Sequence, residues 1–213
     1  MREFFNDKNL QSNPFINWFE LFLVIFITWI IFSEIFELKF LLFGVISCLV
    51  ISLCCLKSFK IKGIKSDKTY FLIHFNFIKA LIYFIWLIKE IILSAIAVSK
   101  TVFHSNDKLS PKIVWFKADY DNPVARAFLA NSITLTPGTV TIDIFDDGTY
   151  SAHALVDESA DSLLSGEMQK KVAWVFNEKI DFRVLESEDV KDNENRDTVN
   201  LRNTRFSRKK RTK

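Results

Sequence analysis

Residues 15–36 read FINWFELFLVIFITWIIFSEIF, and residues 40–56 read FLLFGVISCLVISLCCL. A hydrocarbon core of about 30 Å needs roughly 20 helical residues, and the first run supplies them. It is too long for a signal-peptide core and has no small-residue cleavage site, so it reads as retained. The second run carries no charge. The short turn between them, with Glu37 and Lys39, leaves room only for a tight antiparallel hairpin. Backbone groups in lipid must find partners inside their own segment, which makes helix the expected conformation for both runs. Gly44 and Ser47 offer a small patch for close helix approach, and Trp18 suits an interfacial anchor.

The hairpin is followed by Lys57, Lys60, Lys62, Lys65 and Lys68, against the single acid Asp67. The positive-inside rule makes residues 57–69 a cytoplasmic loop and puts the N-terminus on the same side. Residues 70–100 form a third apolar segment, interrupted by Lys79, Lys89 and Glu90. Asn76, Lys79, Tyr83, Trp86, Glu90 and Ser94 recur at helical spacing and make one polar stripe. Two readings follow. The helix lies in the membrane interface, or it spans with its stripe pressed on protein. The charges favour the first, which keeps the C-terminal half cytoplasmic.

From residue 111 the pattern is that of a water-soluble unit, residues 111–185, of order β-α-β-β-α. Ile113–Phe116 suggests a buried strand. Asn122-Pro123 suggests a capped helix start, with the helix running through residues 124–130. Val140, Ile142 and Ile144 alternate with Thr139, Thr141 and Asp143, as in a strand that buries its aliphatic face. Asp146-Asp147-Gly148 is a hairpin turn, and residues 162–178 read as one helix. The fold class is therefore a membrane protein: a helical hairpin, a third amphipathic or spanning helix, and a small α+β domain. Residues 186–213 are charged and poor in apolar side chains, so disorder is expected. The seven Lys and Arg of residues 201–213 outweigh the whole-chain net charge of +3. The basic balance is thus local and says nothing of a nucleic-acid-binding fold; the tail reads as a solvated segment, with a role at anionic lipid or an acidic partner as the alternative.

Recognised catalytic and cofactor motifs are missing. The chain has no phosphate-binding glycine loop, no dinucleotide fingerprint and no H-E-x-x-H. His74, His104 and His153 have no metal-like spacing, and Cys48, Cys54 and Cys55 read as small apolar residues. No cofactor and no catalytic residue is expected. Glu20 lies inside the first apolar run. It either reaches the headgroups or lines an ion path.

The segment at residues 129–144, LANSITLTPGTVTIDI, stands out. Thr136-Pro137-Gly138-Thr139 has the chemistry of a type II turn, Asn131 suits a helix stop, and Ser132, Thr134 and Thr136 can bond nearby backbone. Residues 131–139 thus read as a connector or as a docking loop. This segment resembles the signature of the E-type component of the bacterial multisubunit cation/proton antiporters of the Mrp or Mnh type. Trp29, Gly44, the run Pro111-Lys112-Ile113-Val114 and the run His153-Ala154-Leu155 extend the resemblance to residues 15–177. The charged tail departs from the family's compact form. The resemblance implies an accessory subunit of a machine that exchanges protons for monovalent cations, chiefly Na⁺. Its partners would be the other antiporter subunits and membrane lipid, and its place the bacterial cell membrane. Two other classes remain: a self-sufficient carrier, for which two or three helices are too few, and a membrane-anchored regulatory or ligand-binding module.

Overall fold

The structure, a computed structural model, describes residues 10, 12–73, 75–103 and 110–189. His74, His104 and the basic tail lie outside the described residues. The chain forms two compact units: residues 1–84, 120–128 and 171–180, and residues 85–119, 129–170 and 181–213.

The first unit holds the helical hairpin, α1 (Pro14–Ser33) and α2 (Leu38–Cys55). Pro14 opens α1, and the Asn13 side chain caps it by accepting from the Phe15 N–H at 3.0 Å. Glu34, in the left-handed conformation, ends it. Twenty residues at 1.5 Å each give about 30 Å, enough to cross a hydrocarbon core. Most of the outward side chains are exposed, with Phe32 of α1 and Phe43 of α2 at 83% and 58%, the surface expected of helices solvated by lipid. Trp18 makes a contact across the hairpin. Its indole N–H donates to the Ser52 hydroxyl of α2 at 3.1 Å, and so ties the hairpin together. Gly44 meets the Trp29 ring so closely that a Cβ there would lie 2.7 Å from it.

After the hairpin the chain turns back on itself. The loop that the sequence assigns only as basic contains a second hairpin, β1 (Lys60–Lys62) paired antiparallel with β2 (Thr69–Phe71). Consequently the third helix, α3 (Phe77–Phe103), starts later than residue 70. The Asn76 side chain caps it through the Lys79 N–H at 3.1 Å. Leu21, Leu56 and Phe71 form a buried cluster at the loop end of the membrane hairpin. All three helices are long and apolar enough to cross a membrane.

The second unit is built on a four-stranded antiparallel sheet of order β4-β5-β3-β6: β3 (Lys112–Ala118), β4 (Thr139–Ile144), β5 (Thr149–Ala154) and β6 (Phe182–Asp189). Helices α4 (Pro123–Leu135), α5 (Asp157–Leu164) and α6 (Glu167–Val175) complete the chain. The sheet buries one face. Val114, Phe116 and Ala118 of β3 and Tyr150, Ala152 and Ala154 of β5 are fully enclosed, with the Phe116 and Tyr150 rings stacked at 5.2 Å. On the other face Ile113 and Trp115 are half-buried, so β3 alternates instead of being buried on both sides.

Four expectations are corrected here. Strand β6 adds an element to the β-α-β-β-α order and runs through Asp189, so residues 186–189 are strand and not tail. The helix expected at 162–178 is two helices, broken at Ser165-Gly166, where Gly166 adopts φ +71 and stops the first. Helix α4 continues to Leu135, through Asn131; Thr134 and Thr136 bond carbonyls four residues back, and Pro137 supplies the stop. In β4 the faces are exchanged. The hydroxyls of Thr139 and Thr141 turn inward to the Ile133 and Ala130 carbonyls, at 2.6 and 3.0 Å, leaving Val140 and Ile142 more than half exposed.

The contact between Gly44 and Trp29 makes a direct prediction. Gly44→Ile puts a branched side chain into the indole ring and is expected to destabilise the hairpin by about 1–3 kcal/mol. Its melting temperature in mild detergent should fall below that of the wild type, and Gly44→Ile with Trp29→Ala should recover much of the loss.

Candidate functional site

The densest polar arrangement in the first unit is a junction around Asp121. This residue precedes the Asn122-Pro123 start of α4, and Asn122 caps that helix through the Val124 N–H at 2.9 Å. The Asp121 carboxylate collects the Lys65 N–H at 2.8 Å, the Ser66 N–H at 3.1 Å, the Tyr70 hydroxyl at 2.8 Å and the Ser66 hydroxyl. Every donor comes from the β1–β2 hairpin. One turn beyond α6, Glu178 accepts the backbone N–H groups of Asp121 and Asn122 at 3.1 and 3.0 Å. The buried Arg126 donates from Nε to the Tyr120 carbonyl at 2.8 Å.

The electrostatics follow from these contacts. Burial pushes the Asp121 carboxyl up, but the Ser66 hydroxyl, the Lys65 N–H and the Tyr70 hydroxyl outweigh it and hold the group at about 2. Burial and the adjoining Asp121 carboxylate push the Tyr70 phenol well up, so it stays a donor. Glu178 is raised above the ordinary glutamate range by burial, with the Asp121 charge adding to it against the opposing pull of two N–H donors. The sequence reading missed this junction. Asp121-Asn122-Pro123 has an evident local explanation as a helix start, and neither Glu178 nor Ser66 belongs to any motif.

The polar stripe of α3 meets its own chain. Lys79 Nζ donates to the Trp174 carbonyl at 3.1 Å and to the Asn177 side chain, and lies 5.0 Å from the Trp174 ring centre. It thus sits at the C-terminal end of α6, where the helix dipole favours a cation. Tyr83 is buried against Phe128, with ring centres 5.2 Å apart. Asn76 is the cap already described. In the second unit Glu90 is half-buried on the same helix face.

The segment 131–139 is not a single loop. Asn131, Ser132 and Thr134 lie on α4, and only the residues from Thr136 to Gly138 connect it to β4. The turn itself has the expected form: the Thr139 N–H donates to the Thr136 carbonyl at 3.1 Å, and Gly138 has φ +84. The row of hydroxyls bonds backbone carbonyls, Thr134 to Ala130, Thr136 to Ser132, and Thr139 to both Ile133 and Thr136. A Cβ on Gly138 would lie 2.8 Å from Val98 of α3 and 2.9 Å from the Ser159 hydroxyl of α5. Pro137 is half-buried beside it. Glu20 is half-exposed on the second turn of α1, outside the junction's set of donors and acceptors.

Comparison with known proteins now bears on these features. Residues 22–175 match the MNHE family, described as a Na⁺/H⁺ ion antiporter subunit, over most of the chain. The chain belongs to this family. It is 36% identical over 78 residues to the E-type component of the Na⁺/H⁺ antiporter of Bacillus subtilis (strain 168), a match covering 36% of this chain and 49% of that protein. The aligned stretch therefore spans about half the length of that curated relative. A chain in the structure of the membrane-bound sulfane sulfur reductase, an archaeal respiratory membrane complex, superposes with a TM-score of 0.55. It is 25% identical, over 75% of this chain and 99% of that one. The MNHE match includes α2, the Asp121 junction up to residue 175, and the whole turn at Gly138.

Two predictions follow. Gly138→Val should destabilise the fold by roughly 2–4 kcal/mol, since backbone strain adds to overpacking against Val98 and Ser159. Thr134→Val and Thr136→Val, each losing one hydrogen bond, should cost about 0.5–1.5 kcal/mol. Thermal melting in detergent ranks the three.

For Asp121 the sign is fixed by its lowered pKa. Its contribution to stability is complete above about pH 4 and is lost as pH falls toward 2. Glu178, being raised, works in the opposite sense and favours the fold as it takes up a proton. Asp121→Asn should lower stability at neutral pH, flatten the acid limb of melting temperature against pH, and expose Lys65 and Lys68 to trypsin.

Proposed function

We propose that this antiporter-family protein is a non-catalytic accessory subunit of a multisubunit Na⁺/H⁺-type antiporter. In this reading it supports assembly and activity of the complex in the bacterial cell membrane. One observation carries it: six of the polar side chains that stand out in the sequence and structure are committed to backbone partners in the same chain. Asp121, Glu178, Lys79, Thr134, Thr136 and Thr139 all bind main-chain N–H or C=O groups. Such groups fix a shape; they are not arranged to move a proton or hold an ion.

The same contacts support a cytoplasmic domain. Lys65, Ser66 and Tyr70 belong to the basic loop, and their bonds to Asp121 require residues 120–128 to share that loop's side of the membrane. The lysines of the loop favour the cytoplasm. Helix α3 is bound near its start, where Lys79 donates to the Trp174 carbonyl and to the Asn177 side chain. A helix held by polar protein at that end, with Lys79, Lys89 and Glu90 along it, favours the interface.

A membrane-anchored regulatory module is the second reading, and one purification separates the two. The tagged chain, extracted in mild detergent, is expected to bring large multispan antiporter subunits with it; recovery of the chain alone would reject the subunit role. For topology, a single Cys introduced at Asp147, with Cys48, Cys54 and Cys55 replaced, should resist an impermeant thiol reagent until the cells are lysed. Labelling of intact cells would put the domain outside.

A further inference from the structure

Helix α3 has a face that its own chain does not use. In the second unit Val98 packs on Gly138. Lys89 is nine residues earlier, half a turn away in angle at 100° per residue, and so points in the opposite direction. It is exposed, and among the described residues it has no hydrogen bond or ion pair. Its neighbours on that face are Ile85, Ile88, Ile92 and Ile96, exposed by 63%, 43%, 54% and 48%. One charge therefore sits in the middle of an aliphatic stripe. Further along the helix is a shallow groove of about 450 Å³, with the small residues Ala95 and Ser99 among Ile91, Ile92, Ile96 and Phe103, and with a second cation, Lys100, at its edge.

We propose that this face of α3 seats a membrane helix of another subunit, and that Lys89 pairs there with a carboxylate on that helix. The proposal rests on the subunit reading above and names where the contact is made. Charge complementarity selects the occupant. Lipid tails would satisfy the isoleucines but leave an ammonium unpaired in their midst. A carboxylate on a packed helix neutralises the charge in place. The Ala95 and Ser99 groove admits the close backbone approach that helices need and that fluid lipid does not.

The test uses the whole complex in native membranes. Lys89→Glu should reduce recovery of the other subunits with the tagged chain at least tenfold, whereas Lys89→Arg should leave it near wild type. Lys89 makes no hydrogen bond or ion pair within its chain among the described residues, so equal amounts of each variant in the membrane exclude misfolding as the cause. A photo-cross-linking residue at Ile92 should join to a membrane segment of another subunit containing Asp or Glu. Changing that carboxylate to Lys should restore recovery of Lys89→Glu. Unchanged recovery of Lys89→Glu, or cross-links to lipid only, overturns the proposal while the subunit reading stands. A wild-type chain that brings no subunit overturns both.

Discussion

A carboxylate that gathers four donors from one short hairpin holds the two kinds of chemistry in this chain together. Asp121 stands just before the start of helix α4, in the part of the chain that follows the three long apolar helices. Its donors stand in the loop that leaves the lipid-facing hairpin. Apolar burial alone would not fix that joint, because the surfaces of α1 and α2 are made for lipid and gain little from protein. Directional hydrogen bonds to an ionised acceptor do fix it. Glu178 extends the arrangement by binding the backbone on either side of the Asp121–Asn122 peptide, so the carboxylate is itself held in position.

The membrane half was legible because lipid imposes a simple rule. Long uncharged runs must be helices, and their length is set by the bilayer. The turn at Thr136–Thr139 was equally readable, since proline and glycine each permit few conformations there. The resemblance carried by residues 129–144 led to the family that the comparison confirms.

What could not be read depended on partners distant in sequence. Thr139 and Thr141 look like the solvent side of a strand until α4 lies behind them and offers its carbonyls. Asn131 looks like a helix stop, yet the helix runs four residues further, to Leu135, before Pro137 ends it. The polar stripe of α3 signalled that it needed a partner, but not that Trp174 and Asn177, about a hundred residues away, would provide one. Strand β6 is rich in charge because it is an edge strand beside β3, where composition misleads. Asp121 and Glu178 are ordinary residues whose importance comes only from geometry.

The sequence separations in the junction also impose an order of events during synthesis. Ser66 and Asp121 are 55 residues apart, and Asp121 and Glu178 a further 57. At roughly 5–20 residues per second, the ribosome delivers Asp121 about 3–11 s after Ser66, and Glu178 after a similar interval again. The hairpin α1–α2 is therefore complete, and its loop without its carboxylate, for seconds before the domain exists. Membrane insertion comes first and docking second. The last bond to close belongs to a residue just beyond α6, so a chain truncated before Glu178 keeps its anchor and its sheet strands β3 to β5 but lacks the brace on the joint.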